Sequence, residues 1–344
     1  MRFRRRLGVG PSRATTAAVA AFAAATLIAA CSSSSSSGSS SGTTATSSAK
    51  AAGQTDIGVD LTYNSTAFWA AYINYETQYA QQLHIHLLGP LLAAANASLQ
   101  NTQIENLVNE GAKAIIVNPE TATSLGPAIS YAAAHHVQLI SVDTIVGVGK
   151  VYMVVRASNT IHGLDTCALI SSKVKSGYVL DLEGDLTSSN GADRTNAFNS
   201  CMAANAPNVH ILKDPTVWTE ATAVTDAQNA VNAYSSQLKA IYSQWSSPDT
   251  GIIVLLKSKH LTGKVMVVSD DGVPFEMCDV GNGTLDASQS QPANLYAYWA
   301  LKYALDAGQR RQAQRGPAGR RRSRPADGQL RRTPTSVTRS WPRS

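Results

Sequence analysis

The chain has 344 residues, room for about two domains of ordinary size, and its formal net charge of +6 would by itself invite a nucleic-acid partner. The charge is unevenly placed: residues 1–30 hold five Arg and no acid, residues 309–344 hold eleven Arg and one Asp, and residues 31–308 carry 13 basic against 22 acidic side chains, a net of −9. The folded part is therefore acidic, and nucleic acid is not among its expected partners.

Arg2, Arg4, Arg5 and Arg6 precede an apolar run over residues 16–30, too short for a comfortable membrane span and right for the core of a signal peptide occupying 1–30. The run ends Leu27-Ile28-Ala29-Ala30-Cys31. This resembles a bacterial lipobox, which implies that Cys31 becomes the lipidated first residue of a protein held at the outer face of the cell membrane; the alternative is a plain secretory signal. The export route stays open, because the Arg cluster fits a twin-arginine signal poorly. Residues 31–54 are nearly all Ser, Gly, Thr and Ala, a composition that cannot bury a core and behaves as a flexible tether.

The first segment able to start a core is TDIGVDLTYNSTAFW, residues 55–69. Ile57, Val59 and Leu61 alternate with small or polar residues and run into a turn at Thr62, Asn64 and Ser65, which predicts a strand. A Gly- and Pro-free stretch, 67–82, then predicts a helix, with Phe68 and Trp69 on its first turn. That is the carboxyl end of the first strand, where open α/β sheets bind ligands. Phe68 and Trp69 there offer a stacking wall and Asn64 a polar handle, although either aromatic would serve equally as core.

Apolar runs at 84–88, 112–118 and 137–143 follow, with helical stretches at 98–109 and 121–135 between them and a fifth strand at 152–157. The rhythm then restarts: helix 163–173, strand 177–182, helix 194–204, strand 210–213, helix 220–235, strand 238–242, helix 249–259 and strand 264–269. Alternating strands and helices predict an α/β chain of two doubly wound parallel-sheet lobes. The lobes are expected at 55–158 and 159–285, with a hinge return and helix at 286–308.

Three stretches carry a resemblance. AKAIIVNPETATSLGPAISYAAAHHVQLISVDT, GYVLDLEGDLTSSNGADRTNAF and LTGKVMVVSDDG resemble, in order, the strand–helix–strand cores and the Arg- and Asp-bearing loops of the type I periplasmic sugar-binding proteins that serve ABC transporters. The similarity covers about 55–308. It implies two lobes joined by crossing segments that close on a sugar, with a role in delivering a monosaccharide or related polyol to an ABC permease.

The resemblance also implies a ligand set. The Asp ending the fourth strand falls on Asp143, followed here by Thr144 where ribose binders often have Arg. The family's Arg falls on Arg194, its later Asp on Asp271 with Asp270 as an alternative, its Gln on Gln291 or Gln289, and its Ser at the first crossing on Ser158. Trp245 stands near the position of the family's Asn-Asp pair. Carboxylates accept paired hydrogen bonds from sugar hydroxyls and a guanidinium donates them, but Asp143 or Asp271 would serve as readily as a helix cap.

The His84/His86 and His135/His136 pairs permit a metal reading, which an edge-strand position for His84 and His86 disfavours, so no metal and no cofactor is expected. No G-x-S-x-G, H-E-x-x-H, P-loop or G-x-G-x-x-G is present, and no catalysis is expected. A receptor of the same fold coupled to a membrane sensor kinase is the alternative function, and a monomer is the expected state. Among Cys167, Cys201 and Cys278, the first two flank the 177–182 strand and are the expected disulfide. Residues 309–344, rich in Arg, Pro, Gly and Ser without apolar periodicity, read as a disordered tail, either an out-of-frame ending or a basic segment that touches anionic polymer.

Overall fold

The computed structural model describes residues 51–314. Cys31 and the leader, residues 31–50 of the tether, and residues 315–344 lie outside the described residues. The first sheet holds β1 (Thr55–Leu61), β2 (Ile85–Leu92), β3 (Ala114–Val117), β4 (Gln138–Val142) and β5 (Met153–Val155). Its helices are α1 (Ala67–Gln82), α2 (Ala97–Asn109) and α3 (Gly126–Ala134). The second lobe runs α4 (Asn159–Lys173), β6 (Gly177–Glu183), α5 (Ser189–Asn205), β7 (Val209–Pro215), α6 (Glu220–Tyr234), β8 (Leu238–Ser243), α7 (Asp249–Ser258), β9 (Met266–Asp271), α8 (Pro274–Asn282) and β10 (Ala287–Ser290). The last described helix is α9 (Ala293–Gln314).

Both sheets are parallel throughout, ordered β2-β1-β3-β4-β5 and β10-β9-β8-β6-β7. These are the same order written in opposite directions. In each, the strand order changes direction between the first and third strands in sequence, and the crevice at such a switch is where this architecture receives ligands.

Continuous apolar strands arise because each sheet is covered on both faces. Ala114, Ile116, Ile140 and Val142 pack with α1 and α9, while Ile115, Val117 and Leu139 pack with α2 and α3. In the second lobe Leu180, Leu182 and Ile241 face α6 and α7, and Val179, Ala240 and Tyr242 face α4 and α5. Gly163 lets α4 and α5 approach closely: a Cβ there would lie 2.4 Å from the Arg194 carbonyl oxygen. Cys167 and Cys201 form a disulfide across the same two helices, and Cys278 is free and exposed.

Two boundaries differ from the sequence expectation. The polar strand β10, read from the sequence as part of the return segment, pairs with β9 and belongs to the second sheet. Helix α9 then crosses back and buries Ala297, Ala300, Leu301, Ala304 and Ala307 in the core of the first lobe. It continues six residues past 308, to Gln314.

Glu76 on α1 is fully buried, accepting from the Tyr72 hydroxyl at 2.8 Å, with its Oε2 unpartnered among the described residues. Burial pushes this carboxyl up to about 8, against the opposing pull of the Tyr72 bond. The folded chain thus keeps a proton that the unfolded chain releases near pH 4.5, so stability falls as pH rises between those two values. Glu76→Gln is expected to shallow that decline and to raise the melting temperature at pH 8 by several degrees, read by calorimetry across pH. Asp60, whose buried carboxyl is pushed up to about 7, accounts for part of the slope that remains.

Candidate functional site

The loops at the carboxyl ends of the two sheets face one another and enclose a cavity. From the first lobe come Tyr63, Thr66, Phe68 and Trp69 after β1, Asn118 and Glu120 after β3, and Asp143 and Thr144 after β4. From the second come Asp185, Ser188, Asn190 and Arg194 after β6, Trp218 after β7, Trp245 after β8, Asp271 after β9 and Gln291 after β10. The lobes also bond directly. Ile145 N donates to Ser189 Oγ at 2.8 Å, Ala122 N to the Thr187 carbonyl at 3.2 Å, and Arg156 pairs with Asp193 at 3.0 Å.

Seven of the nine residues singled out in the sequence line this cavity: Phe68, Trp69, Asp143, Arg194, Trp245, Asp271 and Gln291. Ser158 does not. It is exposed and caps α4, its Oγ accepting from Ile161 N at 3.4 Å, so its polar oxygen serves the helix. Asn64 is likewise exposed in the β1–α1 turn, and the polar residues that line the cavity from there are Thr62, Tyr63 and Thr66. On the second strand, His86 sits 2.9 Å from Asp56 in an ordinary ion-pair position.

Two site carboxylates sit on constrained backbone. Asp143 has φ 66° and Asp271 φ 114°, in the region that favours glycine. Such conformations persist only where the surroundings enforce them, and they gather at ligand sites. The enforcing contacts are visible for Asp271: Oδ2 accepts from Ser246 N (3.0 Å) and Oγ (2.7 Å), and Oδ1 from Gln291 Nε2 (2.8 Å). Asp143 Oδ2 accepts from Asn190 Nδ2 across the cleft. Burial pushes both carboxyls up, and Arg194 pulls both back down.

Arg194 is 1% exposed and held from three sides. Nε donates to Asn159 Oδ1 (2.6 Å), Nη1 donates to the Gln244 carbonyl, and Asp270 Oδ2 lies 3.4 Å from Nε. Asp270 is itself fixed by the Tyr242 hydroxyl (2.7 Å) and by Nδ1 of His162 (3.2 Å). The guanidinium stacks 5.8 Å from the Trp218 ring, which packs on Gly184 so closely that a Cβ there would lie 2.1 Å from it. Trp218 meets Trp245 edge to face at 5.4 Å, and Phe68 meets Trp69 the same way at 5.1 Å.

The sequence reading missed Asn190 and Trp218. It began the fifth helix at Arg194, whereas Ser188 caps it and α5 starts at Ser189, which places Asn190 one turn before Arg194 on the same face. Trp218 stands in a loop with no periodicity to mark it.

Four buried polar atoms of residues that line this cavity have no hydrogen-bond partner among the described residues: Glu120 Oε1, Asp143 Oδ1, Arg194 Nη2 and Trp245 Nε1. Leaving such groups unmet costs about 1–3 kcal/mol each. Two acceptors and two donors, drawn from both lobes and flanked by aromatic rings, match the hydroxyl and C–H surface of a small polyhydroxylated molecule.

The profile of a family described as periplasmic binding protein domain matches residues 57–311. The xylitol-binding protein of Mycolicibacterium smegmatis is 26% identical over 190 residues, 55% of this chain and only 54% of that protein. The ribose import binding protein of Escherichia coli is 24% identical over 71% of this chain and 81% of its own length. Among solved structures, the Caulobacter myo-inositol binding protein bound to myo-inositol superposes with a TM-score of 0.70 at 22% identity, covering 76% of this chain and 89% of that one.

Removing the carboxylate against Arg194 takes the nearest counter-charge from a buried guanidinium, and breaking a buried pair in this way typically costs about 3–5 kcal/mol. Asp270→Ala is expected to lose stability on that scale in urea unfolding, whereas Asp193→Ala, which breaks the half-exposed Arg156 pair, is expected to lose about 1 kcal/mol or less.

Proposed function

We propose that this chain, which belongs to the periplasmic binding protein domain family, captures a sugar or related polyol between its lobes outside the cytoplasm and delivers it to an ABC permease. It is a binding protein and not an enzyme. The observation that carries the ligand class is the set of unpartnered buried atoms contributed by opposite lobes to one aromatic-walled cavity. A ligand that meets Asp143 from the first lobe and Arg194 and Trp245 from the second stabilises the closed arrangement of both, which is how a hinged pair of lobes converts binding into a shape that a partner reads. The names of the relatives, which bind xylitol and ribose, support the same class.

The anchor belongs to this proposal too. Cys31, freed by cleavage of the leader and lipidated, holds the monomeric body near the membrane through the Ser-rich tether, and Cys31→Ala is expected to move the protein from the membrane fraction to the medium or periplasm.

Ligand binding is tested by thermal shift and calorimetry on residues 51–314 against pentoses, hexoses, pentitols, hexitols and inositols. At least one is expected to raise the melting temperature, and a panel with no response overturns the reading. With the ligand so found, Trp245→Phe keeps the ring and deletes only the unpartnered N–H, and is expected to weaken binding by about 1–2 kcal/mol. Asp143→Asn is expected to weaken it about ten-fold or more, since the neutral amide loses charge-assisted acceptance.

A further inference from the structure

The charges around the cavity do not balance. Asp143, Asp271, Glu120 and Asp185 all line it, and Arg194 is the one cationic side chain among the described residues that does. Arg194 offsets them only in part: it pulls Asp143 and Asp271 down, but its charge is shared with Asp270, which lies against its Nε within the second lobe. Arg156 offers only partial relief: it acts on Asp143 and is paired with Asp193.

Two of these acids face one another across the cleft. Glu120, from the loop after β3, and Asp185, from the loop after β6, belong to opposite lobes and repel each other. Glu120 is pushed up mainly by burial and further by Asp185, although backbone N–H groups of Ala95 and Asn96 favour its charged form. Its Oε1 is buried and unpartnered among the described residues. Tyr63 lines the cavity with both of these residues, and its phenol is pushed up by burial and then by the same two carboxylates. One oxygen of Asp185 accepts from Thr187 N and Oγ1, both at 2.7 Å.

Closing the lobes therefore brings like charges toward each other in a partly dehydrated space, which is costly unless a cation lies between them. An ammonium group suits that place: it donates three hydrogen bonds, and the rings of Tyr63 and Trp218 line the same cavity to face its charge. Building on the polyol reading, we infer that the preferred ligand is an aminated polyol or amino sugar, whose ammonium sits between Glu120 and Asp185 while its hydroxyls meet Asp143, Arg194 and Trp245. The unpartnered Oδ1 of Asp143, on a side chain only 7% exposed, is a second acceptor in the same cavity.

The test is calorimetry at neutral pH with matched pairs, D-glucosamine against D-glucose and D-glucamine against D-glucitol, on wild type, Asp185→Asn and the Glu120→Gln/Asp185→Asn double variant, each checked for an unchanged melt. The aminated member of at least one pair is expected to bind about ten-fold more tightly in wild type, with the preference reduced in the single variant and gone in the double. If neutral members bind as well or better, or only some neutral sugar outside these pairs binds, the amine assignment is overturned and the polyol reading stands. Survival of the preference in the double variant also overturns the assignment. If neither aminated nor neutral compounds bind at all, the polyol reading itself fails and this inference fails with it.

Discussion

The buried ion pair of Arg194 with Asp270 governs how the second half of the site is built. A guanidinium at 1% exposure is tolerable only if its charge is met within the protein, and α4, α5, β8 and β9 each supply part of that environment through Asn159, Arg194 itself, Tyr242 and Asp270. Because the charge is already met by Asp270, Nη2, the guanidinium nitrogen of this cavity-lining residue left without a partner among the described residues, is a directional donor on a rigid mount. Rigid placement matters here, since a ligand gains only what it does not lose in ordering the groups that receive it.

The first half of the site follows a different logic. Its contributions come from the loops after β1, β3 and β4, and these are tied to one another by amide side chains. Gln100 donates to Asp60 (2.9 Å) and to the Asn118 carbonyl (2.8 Å) while accepting from Glu120 N (3.0 Å). Asn118 in turn donates to the Val142 carbonyl (3.2 Å) and to Thr144 (3.3 Å). The network carries positional information from the sheet interior to the rim of the cavity, where Glu120, Asp143 and Thr144 stand. Thr144, read from sequence as the loss of an arginine, is here a neutral partner of Asn118, and its neutrality is part of why the cavity is so acidic.

What was legible in the sequence follows from which residues a parallel sheet requires. Strands buried on both faces are nearly continuous apolar runs, so AIIV in β3 and LISV in β4, broken only by Ser141, announce themselves. The edge strand β10, ASQS, is half-exposed and needs no apolar residue, so nothing in its sequence distinguishes it from a loop. The acids Asp143 and Asp271 came from the family resemblance, and both stand where a visible strand ends, which brings them to the cavity. Ser158 and Asn64 misled for the converse reason: a small polar residue where a strand gives way to a helix serves as cap or turn former as readily as ligand. Trp218 depends on Gly184 lying beneath it, a relation between two loops that no local pattern records.

The placement of α9 bears on the order in which the two lobes reach their final form. The second lobe is a continuous piece of chain, from α4 through β10, and its core clusters draw only on residues within that piece. The first lobe is not: its largest cluster includes Ala297, Ala300, Leu301, Ala304 and Ala307, which emerge from the ribosome or the export channel only after the whole second lobe. The later-synthesised lobe can thus complete its core first, while the earlier one waits with one face of its sheet uncovered. The first lobe is thus the half whose apolar sheet face stays open to solvent until α9 has been made.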